Sequence, residues 1–295
     1  MKKVLIGIIV LLFVFPVVSM ASSTKCATKY PIVLSHGMGA EANILGIINY
    51  WGSIPSTLKS NGANVYVTSV SAMASHAYKA GEWATQVKQI MAVSGASKIN
   101  VIGHSDGCIY TRYAISNMGM APYVASHTSM GGPHRGSYVA DWIMNLGSTT
   151  GLTSLLGDAI NWVYSFVFND YEDSIANGIQ ETRAYMINIY NPNTPNVASV
   201  YYQSYGGKIT NILGGGLMSA TWALMLPVEG DNDGLVSTTS AKWGNYRGTL
   251  DGGFWSFLGG VNHLAEVGLL TLTTPGYDAP TQFVNIASDL KSRGY

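Results

Sequence analysis

Charge is scarce in this sequence. Only 11% of its 295 residues are Asp, Glu, Lys or Arg, sixteen acidic against sixteen basic, and neither sign forms a run. A chain without a basic or acidic face offers no electrostatic footprint to a nucleic acid or an anionic bilayer, so both partners are excluded first. Cysteine is nearly absent. Cys26 and Cys108 are too few for a disulfide scaffold; an exported protein could join them, but two free or buried thiols are the simpler expectation. There is also no internal repeat and no low-complexity linker. Against these absences stand 47% hydrophobic residues and 34 glycines, enough to bury one large core. One domain over residues 22–295 is therefore expected.

The N-terminus is of another kind. "MKKVLIGIIVLLFVFPVVSMA" has two lysines, an apolar stretch from Val4 to Val18, and Ser19 and Ala21 at the small-residue positions of a cleavage site. That is the layout of a secretory signal over residues 1–21, removed on export to the periplasm or medium. The run is shorter than the ~20 residues of a membrane span and is broken by Pro16.

Short apolar, β-branched runs alternate with helix-period segments along the rest. Residues 30–37, 64–70, 99–105 and 124–132 read as strands apolar on both faces, the mark of a buried parallel sheet. Residues 46–60, 80–95 and 106–118 read as the crossover helices of a doubly wound α/β fold. "VASVYYQSYGG" and "GLVSTTSAKWG" predict later strands, and "TQFVNIASDLKSRGY" a final amphipathic helix. Residues 140–190 break the alternation with a helical insertion whose apolar residues exceed the needs of one buried face, which implies a cover or lid.

"VIGHSDG" carries the chemistry. Gly103-His104-Ser105-Asp106-Gly107 follows a buried strand and opens a helix, the setting in which G-x-S-x-G forms a nucleophile elbow. A serine needs a base and the base an orienting acid, in the chain order Ser, acid, His for this architecture. Of six histidines, His36, His76 and His104 precede Ser105, and His127 and His134 follow too early to leave room for an acid. His263 remains. "VEGDNDGLVSTTS" offers the acid: Asp233 before Gly234 is favoured, with Asp231 its competitor and Asp251 weaker. The backbone N–H groups of Asp106 and of Met38, in "VLSHGMGA", are the expected oxyanion donors.

"KYPIVLSHGMG", "VIGHSDG" with "TRY", "GGPHRGSYVADW", "RAYMINIYNPN", "NDGLVS" and "NHLAEV" follow one another from residue 29 to 267. In this order they resemble the true lipases of bacterial family I, the secreted Pseudomonas, Burkholderia and Proteus type. The resemblance implies an α/β-hydrolase fold with a helical lid, Ser105 as nucleophile, Asp233 as acid, His263 as base, and Met38 and Asp106 as oxyanion donors. It implies a lipid or ester substrate met at an oil–water interface, and it leaves open a folding helper; a monomer is expected. No cofactor is required. The structural calcium of Pseudomonas-type members is expected to be lost, because Ala265 stands where an aspartate follows the catalytic histidine and residues 206–228 contain no aspartate. Only Glu229, Asp231 and Asp251 could rebuild such a site.

Asp106 is a second departure, since relatives tend to have Gln, His or Met there. Its carboxylate is expected to turn outward, away from the oxyanion, where the helix N-terminus favours it. An esterase, phospholipase or acyltransferase on the same scaffold is the nearer alternative to a triacylglycerol lipase; a non-catalytic lipid carrier is the remote one. Acyl length and head group are not written in the chain.

Overall fold

A computed structural model of the protein describes residues 23–38, 43–44, 48–146, 178–269 and 274–295. The expected signal segment and residues 147–177 of the expected lid lie outside them.

Six strands form one sheet: β1 Ile32–Ser35, β4 Val65–Thr68, β5 Ile99–His104, β6 Val124–Met130, β7 Tyr201–Gly207 and β8 Asn245–Leu250. Their order is β4-β1-β5-β6-β7-β8, and every neighbouring pair is parallel. A two-residue antiparallel pair, β2 Asn43–Ile44 with β3 Ile48–Asn49, stands apart. Because the chain steps from β1 outward to β4 and then back past it to β5, the winding reverses between β1 and β5. The crevice beyond the carboxyl ends of those two strands is where such sheets place ligands.

Alternation along the strands divides the core in two. Ile32, Leu34 and Ile102 point to one face, where α1 (Ile54–Ser60) contributes Ile54 and Leu58 and α6 (Ala279–Ser292) contributes Phe283, Ile286 and Leu290. Val33, Ile99 and Val101 point to the other, against Trp83 and Val87 of α2 (His76–Ser94) and Tyr110 and Ile115 of α3 (Gly107–Asn117). β6 is polar in sequence yet wholly buried, and its side chains are paired: Ser126 Oγ donates to Asn100 Oδ1 at 2.8 Å, and Thr128 Oγ1 accepts from Gln203 Nε2 at 3.0 Å.

Three boundaries differ from expectation. The first helix starts at Ile54, where Pro55 fits a first turn, not at residue 46. α2 starts at His76 because Ser75 caps it, its Oγ accepting from Tyr78 N–H at 3.2 Å. "GLVSTTSAKWG" is not a strand: Ser237 Oγ accepts from Ser240 N–H and caps a short helix, Thr238–Ala241, and the sixth strand follows it. α4 (Tyr138–Leu146) opens the insertion and α5 (Ser219–Glu229) follows β7. Cys26 and Cys108 are free and buried in separate clusters, their thiols facing the carbonyls of Val284 and Met130.

Candidate active site

β5 ends at His104, α3 begins at Gly107, and Ser105 makes the corner with φ 58°, the one positive φ at a non-glycine among the described residues. Both glycines are there for space. A Cβ on Gly103 would lie 2.7 Å from the Gly107 carbonyl carbon, and one on Gly107 would overlap the Ser35 carbonyl oxygen. Backbone strain at a serine held this way exposes its hydroxyl instead of relaxing it.

The loop after β1 closes on the same point. A Cβ on Gly37 would sit 2.7 Å from Ser105 Cβ and 3.1 Å from its Oγ. Gly37 N–H donates to Tyr50 Oη at 3.0 Å, so Met38 carries the next N–H of that loop. Tyr50 Oη donates in turn to His104 Nδ1 at 2.5 Å, and His104 Nε2 donates to the His263 carbonyl at 3.1 Å. Burial, and then the neighbouring His263, hold the His104 ring neutral, well below the usual histidine range, as this donor order requires. A continuous chain of bonds thus joins the loop after β1 to the loop of His263.

Asp233 and His263 meet across the late loops. Asp233 Oδ2 accepts from His263 Nδ1 at 2.8 Å, and the Asp233 carbonyl accepts from the His263 N–H at 2.9 Å. Oδ1 is fixed by the N–H groups of Leu235 (2.8 Å) and Val236 (2.7 Å). The imidazole packs on the His104 ring at 4.6 Å, and its Nε2 is buried without a hydrogen-bond partner among the described residues. The competing acids are engaged elsewhere: Asp231 pairs with Lys208 at 2.7 Å, and Asp251 Oδ1 accepts from Gly253 N–H. His36, His127 and His134 are bonded within the core, to Val70 N–H, Thr111 and Ser129 respectively.

The Asp106 carboxylate makes no cap bond to the α3 N-terminus expected to favour it; it is buried and pairs with Lys79 and His76, because the first turn of α2 brings two cations beneath the elbow. Glu266 was also missed. It is fully buried, accepts from Gly207 N–H, and lies 3.2 Å from His104 Nε2 and 4.0 Å from His263 Nδ1. Burial, and then the charge of Asp233, push its carboxyl well above the usual range, so it stands as a neutral acid. A lone glutamate inside the apolar run "HLAEVG" was the available signal.

The calcium of the resembled lipases does not fit these residues. Ala265 is buried and offers no side-chain oxygen. Glu229 accepts from Tyr138 N–H and Ser237 Oγ, Asp231 faces Lys208, and Asp251 Oδ1 is taken by Gly253 N–H.

A parallel sheet that delivers a serine on a strained turn, with a buried Asp–His pair packed against the residue before it, defines an α/β-hydrolase. The family described as palmitoyl protein thioesterase matches residues 31–194. A triacylglycerol lipase of Vibrio cholerae is 33% identical over 82% of this chain and 81% of its own length. One of Burkholderia plantarii is 40% identical over 46% of this chain, a match spanning 39% of that relative. A Bacillus licheniformis lipase structure superposes with TM-score 0.65 at 17% identity over 88% of this chain and 92% of its own, which speaks to the fold. The chain belongs to the matched family and, with the Vibrio relative, to the bacterial lipases, a family of ester hydrolases.

Proposed function

We propose that the chain is a secreted triacylglycerol lipase of the family I type. Ser105 Oγ attacks the ester carbonyl while His263 Nε2 takes its proton; the N–H groups of Met38 and Asp106 receive the oxyanion. The histidine returns the proton to the leaving alcohol, and water repeats the cycle on the acyl-enzyme. Asp233 fixes the imidazole tautomer and stabilises its charged form. The observation that carries this reading is the buried Asp233–His263 pair, whose Nε2 has no hydrogen-bond partner among the described residues, packed against the ring of the residue that precedes the strained serine.

A lipid surface as the place of work is supported by an apolar patch beside the site. Phe254 is 83% and Leu213 80% exposed, with Trp255, Phe257, Ile212 and Leu217 around them, and no charged side chain occurs from Ile212 to Val228 or from Gly253 to Leu258. The two stretches are tied together by Asn211 Nδ2 donating to the Phe257 carbonyl at 2.8 Å, and to the catalytic loop by Asn262 Nδ2 donating to the Gly214 carbonyl at 3.0 Å. Such a patch, rimmed by the site, fits a bilayer or oil surface better than a dissolved ester.

The test is the hydrolysis of tributyrin, long-chain emulsions, phospholipid vesicles and a palmitoyl thioester, each with and without a chelator. Long-chain triacylglycerol is expected to be preferred, with rates unchanged by chelation. Preference for a dissolved short ester or for the thioester would overturn the substrate, and a sharp loss on chelation would overturn the absence of calcium. A fluorophosphonate that fails to label Ser105 would revive the lipid carrier.

A further inference from the structure

Four buried charged groups lie under the elbow and take no part in the proposed proton transfers. Asp106 Oδ2 accepts from Lys79 Nζ at 2.6 Å, and Oδ1 faces His76 Nε2 at 3.1 Å without an aligned hydrogen bond. Glu181 Oε1 lies 2.6 Å from the same His76 nitrogen. None of the four is more than 9% exposed. His76 and Lys79 belong to the first turn of α2, and Glu181 to the short 3-10 turn Ile179–Glu181, from which Gln180 Oε1 also accepts the His76 N–H at 3.0 Å.

Stability alone is a weak reason for this cluster. Two buried ion pairs give up several kcal/mol of hydration per ion, and apolar side chains of similar volume commonly replace them with no loss. The position gives a better reason. Asp106 is the residue whose main-chain N–H must face a developing oxyanion, so its own carboxylate is the worst-placed negative charge in the molecule. Burial disfavours that charge, yet Lys79 and His76 together hold the carboxyl well below its ordinary range, so it remains ionised. A charge that cannot be removed has to be turned away and compensated.

We propose that Lys79, aided by His76, is a positioning residue of the oxyanion hole: it draws the Asp106 carboxylate down under α3 and neutralises it, leaving the Asp106 N–H free to serve the reaction. The inference rests on the Ser-His-Asp reading above. Without Lys79 the carboxylate loses its one hydrogen-bonded cation and keeps only His76, which it shares with Glu181, so it opposes the transition state more than the bound ester.

The experiment compares wild type, Lys79→Met and Lys79→Met/Asp106→Asn on p-nitrophenyl butyrate, each folded sample titrated with a fluorophosphonate. Lys79→Met is expected to lose about 100-fold in kcat with KM within about threefold, the scale of one unit charge roughly 6 Å away at an effective dielectric of about 20. Removing the carboxylate as well is expected to restore kcat to within about tenfold of wild type. Lys79→Met with kcat within threefold of wild type, or a double variant no faster than the single one, would overturn the proposal. Should Lys79→Met fail to fold, Lys79→Gln with and without Asp106→Asn decides the matter by the same two comparisons. Failure of the underlying reading is seen separately, as wild-type enzyme that the fluorophosphonate does not label at Ser105.

Discussion

Glu266 stands one helical turn beyond His263 as a second carboxyl at the centre of the site, and it has to be uncharged there. A second buried anion beside Asp233 would meet both burial and repulsion, the two leading causes that raise its pKa. Glutamine reproduces a protonated glutamic acid closely, offering one acceptor to Gly207 N–H and one donor. Glu266→Gln is therefore expected to keep kcat/KM within about fivefold and to leave the acid limb of its pH profile in place; a limb moved by more than one pH unit would show that Glu266 is ionised. Asp233→Asn, in contrast, is expected to lose about 10³–10⁴ in kcat, since the amide cannot hold the same imidazole tautomer. Ser105 and His263 were legible because each has few rivals: one serine between elbow glycines, one histidine far enough downstream. Glu266, Tyr50 and Lys79 were not, because their meaning lies in partners that other segments bring to them.

At the scale of elements, glycines at the elbow and at a helix end differ in what limits them. Gly107 and Gly103 are hemmed in by backbone that cannot yield, whereas Gly95, which ends α2 at φ 67°, has open space around its missing Cβ. Gly107→Ala is expected to destabilise by about 3 kcal/mol or more through overpacking. Gly95→Ala should lose only about 1 kcal/mol, the strain of a left-handed alanine. Urea unfolding of the two variants checks the order, and equal losses would contradict it. The strands of the sheet's centre were readable because they are buried on both faces and therefore apolar throughout. The last strand was not: β8, on the sheet edge, is half polar, and the β-branched run that looked like a strand is diverted by a serine cap. The first helix was overextended because apolar spacing continues upstream of Pro55 without a helix to carry it.

For the whole molecule, the buried charges give stability a defined dependence on pH. Burial opposes a charged His76, but Glu181 and Asp106 raise it from 6.5 to about 9. A raised pKa means stabilisation that is complete below about 6.5 and disappears as pH climbs through 9, a contribution of roughly 3 kcal/mol at about 1.36 kcal/mol per unit. Glu266, raised from 4.5 by burial and then by Asp233, acts in the same sense, its stabilisation complete below about 4.5 and lost as pH rises above that. On the acid side, burial first and Arg112 next lower His127 to about 3, and His134 is lowered by the same causes. A lowered pKa means stability present above about 6.5 and lost as pH falls toward 3. Thermal unfolding from pH 4 to 10 should show a maximum near neutrality, and a His76→Gln variant a shallower alkaline decline. An alkaline limb as steep as that of wild type would remove His76 from the account. The parallel sheet and its site edge were legible from alternating strand and helix signals, but the strand order was not, since only long-range pairing fixes it.

The sheet is threaded so that the serine is presented by its third main strand, while the acid and the histidine arrive on loops flanking the sixth, in the last quarter of the sequence. On the proposed reading, then, the nucleophile emerges during synthesis long before its acid and base. A chain still leaving the ribosome, or held extended for export, carries a serine with no base and no neighbouring loop to shape it. If the protein is exported unfolded, the producing cell needs no inhibitor to protect its own membranes: hydrolytic power would first exist where the finished chain closes up, on the far side.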